Sequence, residues 1–101
     1  MVNGMSTTSL SNYNLAPFVN ELELSSRTRE RAAAILIAAD QAGLTERKLP
    51  ASLMAAALYI AGILEGERRT QQTIGQVTGV STTTIQTCYR ELVHELDLRS
   101  Q

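Results

Sequence analysis

The stretch STTTIQT, from Ser81 to Thr87, concentrates short polar side chains in one place. Ser81, Thr82, Thr83, Thr84, Gln86 and Thr87 are hydroxyls and one carboxamide, groups that donate to phosphate oxygens and make modest contacts with base edges. Threonine is a poor helix former, and a helix that only needs to be wet more often carries Glu and Lys. Here the polar run sits inside a helical pattern, so a binding use is the simplest account of its cost. Ahead of it lie Arg68 and Arg69, with Arg47 and Lys48 in an earlier loop. These are the cations within reach of a phosphate backbone.

The segment that must position these groups is GERRTQQTIGQVTGVSTTTIQTCYREL, Gly66 to Leu92. It reads as two short amphipathic helices joined at Gly79. Thr70 caps the first, which runs to about Thr78 with Ile74 and Val77 facing inward. Ser81 or Thr82 caps the second, which runs to about Leu96 and buries Ile85, Cys88, Leu92 and Leu96. Gly75 is small where the two helices would touch, Gly79 is free to take a positive φ, and Val80 plugs the core beyond it. This is the pattern of a helix-turn-helix, which delivers its second helix to the DNA major groove. A plain helical hairpin completing a core is the bland alternative.

Upstream, a first helix covers Asn12 to Glu23, with Leu15, Phe18, Val19 and Leu22 at helical spacing and Pro17 in the first turn. Ser25 or Ser26 caps a second helix whose apolar stripe is Ala32, Ile35, Leu36 and Ala39 and whose end is Gly43. Leu44 to Leu49 form a loop. Pro50 opens a third helix, PASLMAAALYIAGILEG, that is apolar all round and so predicted to be buried all round, ending at Gly66. Residues 1–11 are too poor in apolar side chains to pack and read as a tail or linker stub. The prediction is an all-α domain of five helices over residues 12–101, with the helix-turn-helix at about 70–96.

Composition narrows the function classes. The chain has 101 residues, 44% of them hydrophobic and only 4% aromatic, so its core must be aliphatic and rich in alanine. One cysteine and one histidine exclude an intrachain disulfide and a zinc finger of about four ligands. No apolar run reaches the roughly 18 residues of a membrane span, and MVNGMSTTSLSN lacks the order of a secretory signal. A net charge of −1 argues against strong non-specific affinity for nucleic acid. Between Thr70 and Leu92 the only charges, Arg90 and Glu91, cancel. The scattered glutamates form no acid/base pair, His94 has no nucleophile beside it, and no glycine-rich phosphate loop is present, so no enzyme, metal or cofactor site is expected. Tyr59 and Tyr89 read as core aromatics, and Cys88 as a small buried hydrophobe.

Taken together, YNLAPFVNELELS, ERKLPASLMAAALYIAGILEGERRTQ and GVSTTTIQTCYREL with its following HELDL resemble the second cyclin-like repeat of archaeal transcription initiation factor B, the counterpart of eukaryotic factor IIB. The resemblance covers roughly Tyr13 to Leu98. It implies a five-helix cyclin-like fold and a non-enzymatic role. Family members clamp TATA-binding protein on promoter DNA, help recruit RNA polymerase, and read the element upstream of the TATA box with this helix-turn-helix. By that correspondence Thr83, Thr84, Gln86 and Thr87 are candidate base contacts. Lys48, Arg68, Arg69, Thr70, Gln71, Ser81 and Thr82 are candidate phosphate contacts. Gln86 stands where the family commonly has a base-reading arginine, and Cys88 where archaeal members often have a second one. A bidentate arginine is worth about 1–3 kcal/mol of discrimination, so weaker or altered sequence preference is expected. The chain has room for one repeat and no ligands for the family's zinc ribbon, which implies a piece of a longer factor or a reduced relative. The expected setting is a monomer in the archaeal cytoplasm, associated with the nucleoid and not with a membrane. A cyclin-fold protein-interaction module without sequence-specific DNA binding is the alternative.

Overall fold

The computed structural model describes residues 13–97; the tail read at 1–11, and Asn12 with it, lie outside that range. Five α-helices follow in order: α1 Ala16–Glu21, α2 Ser26–Gln41, α3 Pro50–Glu65, α4 Gln71–Thr78 and α5 Thr82–Leu96, with a 3-10 turn at Leu44–Glu46 between α2 and α3. The described residues contain no strand.

The third helix is the centre, as its all-round apolarity predicts. Every residue from Ser52 to Gly62 is buried. Helices α2, α4 and α5 all pack on it. Ala55, Ala56, Ala57 and Ala61 have no exposed surface, so neighbouring helices come close to its backbone. Leu53, Leu58, Ile74, Ile85 and Leu92 fill the space between. Full burial of one such aliphatic side chain stabilises the fold by about 1.5–3 kcal/mol. With few aromatics in the core, its packing depends on these close approaches.

Helix ends follow their capping residues. Ser25, Thr70 and Ser81 each accept a hydrogen bond from the backbone N–H three residues on, at Thr28, Thr73 and Thr84. Gly43, Gly66 and Gly79 each take the left-handed conformation that ends a helix. After α3, the Glu67 N–H returns to the Gly62 carbonyl at 2.7 Å.

Two elements differ from the sequence expectation. Helix α1 is shorter at both ends than Asn12 to Glu23. At its start the Asn14 side chain accepts from the Ala16 N–H at 3.2 Å, a local bond that competes with the helix. At its end Glu23 is left-handed, φ 56°, and the Leu24 N–H closes back on the Val19 carbonyl. A glycine usually marks such a stop, and none is present to announce it. The stretch read as a loop from Leu44 is a 3-10 turn anchored by the buried Leu44. The Thr45 hydroxyl reaches Asp40 at 2.8 Å there.

The α4–α5 crossing depends on Gly75. A Cβ there would stand 2.7 Å from the Val80 carbonyl oxygen, which is backbone and has little room to move. Gly75→Ala should therefore lower stability by about 1–3 kcal/mol, read as a fall in the urea midpoint. An unchanged midpoint would contradict the close approach.

Candidate nucleic-acid interface

The helix-turn-helix is built from inside outward. Ile74 and Ile85 are wholly buried and set the spacing of α4 and α5, while Val80 is half-buried at the corner. The Gly79 N–H bonds the Gly75 carbonyl at 2.8 Å, and the Thr78 hydroxyl both donates to the Ile74 carbonyl and accepts from the Val80 N–H. The turn is thus held by its own backbone. Behind it, Tyr59 of α3 and Tyr89 of α5 meet edge to face with centroids 5.2 Å apart.

This frame leaves Ser81, Thr82, Thr83, Thr84 and Thr87 exposed on α5. The Thr87 hydroxyl donates to the Thr83 carbonyl at 3.0 Å, and Thr84 accepts from the Ser81 hydroxyl at 2.9 Å. The hydroxyls of Thr82 and Thr83 bond to nothing among the described residues and are open to a ligand. Thr83, Thr87, Arg90 and His94 fall at helical spacing along one exposed stripe.

Gln86 is less open. Its side-chain carbonyl accepts from the Gln71 amide, so a residue assigned to bases and one assigned to phosphate brace α5 against α4. Cys88 is only 2% exposed, and burial pushes its thiol pKa up. It faces the core and not the exposed stripe of α5. Thr70 is exposed with its hydroxyl engaged as the α4 cap.

The basic candidates separate sharply. Arg68 is exposed, and no carboxylate among the described residues pairs with it. Arg69 turns inward and donates to four carbonyls: Leu22 at 3.0 Å, Glu23 at 3.1 Å, Glu67 at 3.1 Å and Arg68 at 3.2 Å. It locks the connector before α4 onto the α1–α2 turn. Lys48 pairs with Glu91 on α5, and Arg47 reaches the same carboxylate at 3.5 Å. The Lys48 ammonium and then the Arg47 guanidinium hold the Glu91 pKa below the usual carboxylate range against the effect of burial. Within residues 70–92 the formal charges of Arg90 and Glu91 sum to zero, but Glu91 is paired with the Arg47–Lys48 loop.

Sequence reasoning also missed Glu67. Its carboxylate accepts from the Ser25 N–H at 3.0 Å, the Ser25 hydroxyl at 2.9 Å and the Thr28 hydroxyl, at the positive end of α2. The Thr28 hydroxyl lowers its pKa most, then the Ser25 amide and hydroxyl, with Arg69 adding its charge. Partners some forty residues apart leave no local signal of such a contact.

A family model described as "Transcription factor TFIIB repeat" matches residues 7–95. The chain is similar to "Transcription initiation factor IIB 1" of Thermococcus kodakarensis, 50% identical over 82 residues, which is 81% of this chain and 27% of the relative. It is similar at 49% over 82 residues to "Transcription initiation factor IIB" of Pyrococcus furiosus, again 81% of this chain and 27% of the relative. The match to "Transcription initiation factor IIB 1" of Thermoplasma volcanium is 44% over 84 residues, 83% of this chain and 27% of the relative. The chain thus spans about a quarter of the length of these relatives.

Two tests address the connector. Arg69→Ala should cost about 1.5–3 kcal/mol, because a charged donor to four carbonyls is lost, whereas Arg68→Ala should stay within about 0.5 kcal/mol; equal effects in urea unfolding would contradict the division. For Glu67 the folded pKa lies below the unfolded one. Its stabilisation is complete above the ordinary carboxylate pKa and is lost as pH falls through that value toward the folded one. Unfolding measured from about pH 7 to about pH 3 should show a shallower acid loss for Glu67→Gln than for the unaltered chain. Identical slopes would contradict the role given to its hydrogen bonds.

Proposed function

Because the chain belongs to the transcription factor TFIIB repeat family, with its all-α, cyclin-like fold, we propose that it acts as a DNA-binding core repeat of a general transcription initiation factor. In this reading it docks on promoter DNA beside the TATA box, together with TATA-binding protein, and helps recruit RNA polymerase. The observation that carries the reading is the open threonine stripe of α5, presented by a turn whose backbone and core contacts are complete. The Thr82 and Thr83 hydroxyls make no hydrogen bond among the described residues.

Thr83, Thr84 and Thr87 are the base-facing groups in this account, and Thr82, Ser81 and Arg68 meet phosphates. Gln86 contributes from the side: its carbonyl is engaged with Gln71, and its amide N–H groups point the remaining chemistry at an acceptor. Hydroxyl contacts discriminate bases less than a bidentate arginine does. Sequence preference is accordingly light, and affinity depends on partners already seated on the promoter. The cyclin-fold interaction module predicts no such dependence on DNA or salt.

The test is addition of the chain to TATA-binding protein on promoter DNA. Thr83→Val with Thr87→Val should weaken the ternary complex about ten-fold, near 1.4 kcal/mol, without lowering the melting temperature. Affinity should fall steeply as salt rises. An undiminished complex with the doubly substituted chain would contradict the assignment of this face.

A further inference from the structure

The second half of α5 carries a charge arrangement that the sequence conceals. Glu91 lies between Lys48 and Arg47, both reaching it from the turn before α3. Its negative charge is thereby answered from outside the helix. Arg90, one position earlier, is exposed and unpaired among the described residues. The Arg47 side chain is itself about half exposed (54%) beside the carboxylate. Glu91 is therefore answered by two cations of the preceding turn, and the charge of Arg90 is left without a paired carboxylate among the described residues.

Arg90 also has the right register. It follows Thr83 and Thr87 along the same exposed stripe, seven residues beyond Thr83, or about 10 Å along the axis at about 1.5 Å per residue. The major groove is about 12 Å wide. A helix whose first turns face base edges therefore brings a side chain two turns later to the backbone bordering the groove. Arg90 has the length and the fork of donors that suit a phosphate.

We infer that Arg90, freed by the pairing of Glu91 with the Arg47–Lys48 turn, is a DNA-backbone anchor of the α5 reading face. The inference rests on the DNA-binding reading above and adds the residue that supplies its phosphate charge. Glu91 has a positioning role: it pins the loop cations against the helix and offsets their charge.

Binding of the full chain to a fluorescent promoter duplex, measured by anisotropy across a salt series, tests this. Loss of one phosphate contact should make the plot of log K against log salt shallower by about 0.9, and weaken binding about five-fold near 0.15 M salt. Arg90→Ala should show both effects, and Arg90→Lys, which keeps the charge, should show neither in full. Glu91→Gln should steepen the slope and tighten binding; its melting temperature, recorded alongside, identifies any loss of fold. Binding by the unaltered chain that Arg90→Ala leaves unchanged in affinity and slope overturns the anchor alone. A change confined to association with TATA-binding protein, with duplex binding intact, also overturns it. No duplex binding by the unaltered chain at any salt overturns the DNA reading and the anchor together.

Discussion

Two residues of one short connector hold the α1–α2 turn against the start of the helix-turn-helix. Glu67 accepts from Ser25 and Thr28 at the N-terminus of α2, where an anion also meets the favourable end of the helix dipole. Arg69, two residues on, closes over the Leu22 and Glu23 carbonyls that end α1. The two side chains reach the same corner from a backbone already fixed by the Gly62–Glu67 bond. A Cβ on Gly62 would lie 2.8 Å from the Glu67 carbonyl oxygen, so the connector runs directly over α3. The left-handed Glu23, a conformation costing about 1–2 kcal/mol for a residue with a Cβ, is tolerated where an arginine bonds its carbonyl. Through this corner the orientation of α4, and with it α5, is tied to the whole core.

In the DNA-binding reading the placement of charge matters more than its amount. Arg27 and Arg31 both engage Glu65 at the end of α3, Arg69 is turned inward, and Lys48 and Arg47 share Glu91. Among the described residues this leaves Arg68 before α4 and Arg90 on α5 as cations on or beside the helix-turn-helix. Two free cations around a stripe of hydroxyls fit a surface that binds DNA weakly alone and gains affinity from a partner. The near-neutral composition and the binding face are therefore compatible.

Periodicity and caps made most of the fold legible. The burial of α3 follows from its lack of a polar face, and the ends at Ser25, Gly43, Gly66, Thr70, Gly79 and Ser81 follow from the chemistry of those residues. Gly75 was legible too, because only a small residue suits the crossing it occupies. What was hidden was the ending of α1, where Glu23 takes a conformation usually announced by glycine, and every contact made at long range. Arg68 and Arg69 are neighbours of the same type, and no local pattern says which turns inward. Gln71 and Gln86 look like two independent polar residues until the α4–α5 crossing brings them together. Cys88, on the same helix as the threonine stripe, is part of the core, as its helical spacing with Ile85 and Leu92 predicts. Arg90 shows the limit of a local reading, since Glu91, its neighbour in sequence, is paired with Arg47 and Lys48 of another element.

In the DNA-binding reading α5 meets DNA through its exposed stripe while the Glu67–Arg69 corner stays fixed. Amide chemical shifts of the chain during titration with a promoter duplex measure both. Shifts should concentrate at Thr82, Thr83, Thr84, Thr87 and Arg90, with Ser25, Thr28, Glu67 and Arg69 unmoved. Shifts centred on α2, or spread through the Glu67–Arg69 corner with α5 silent, would contradict that reading.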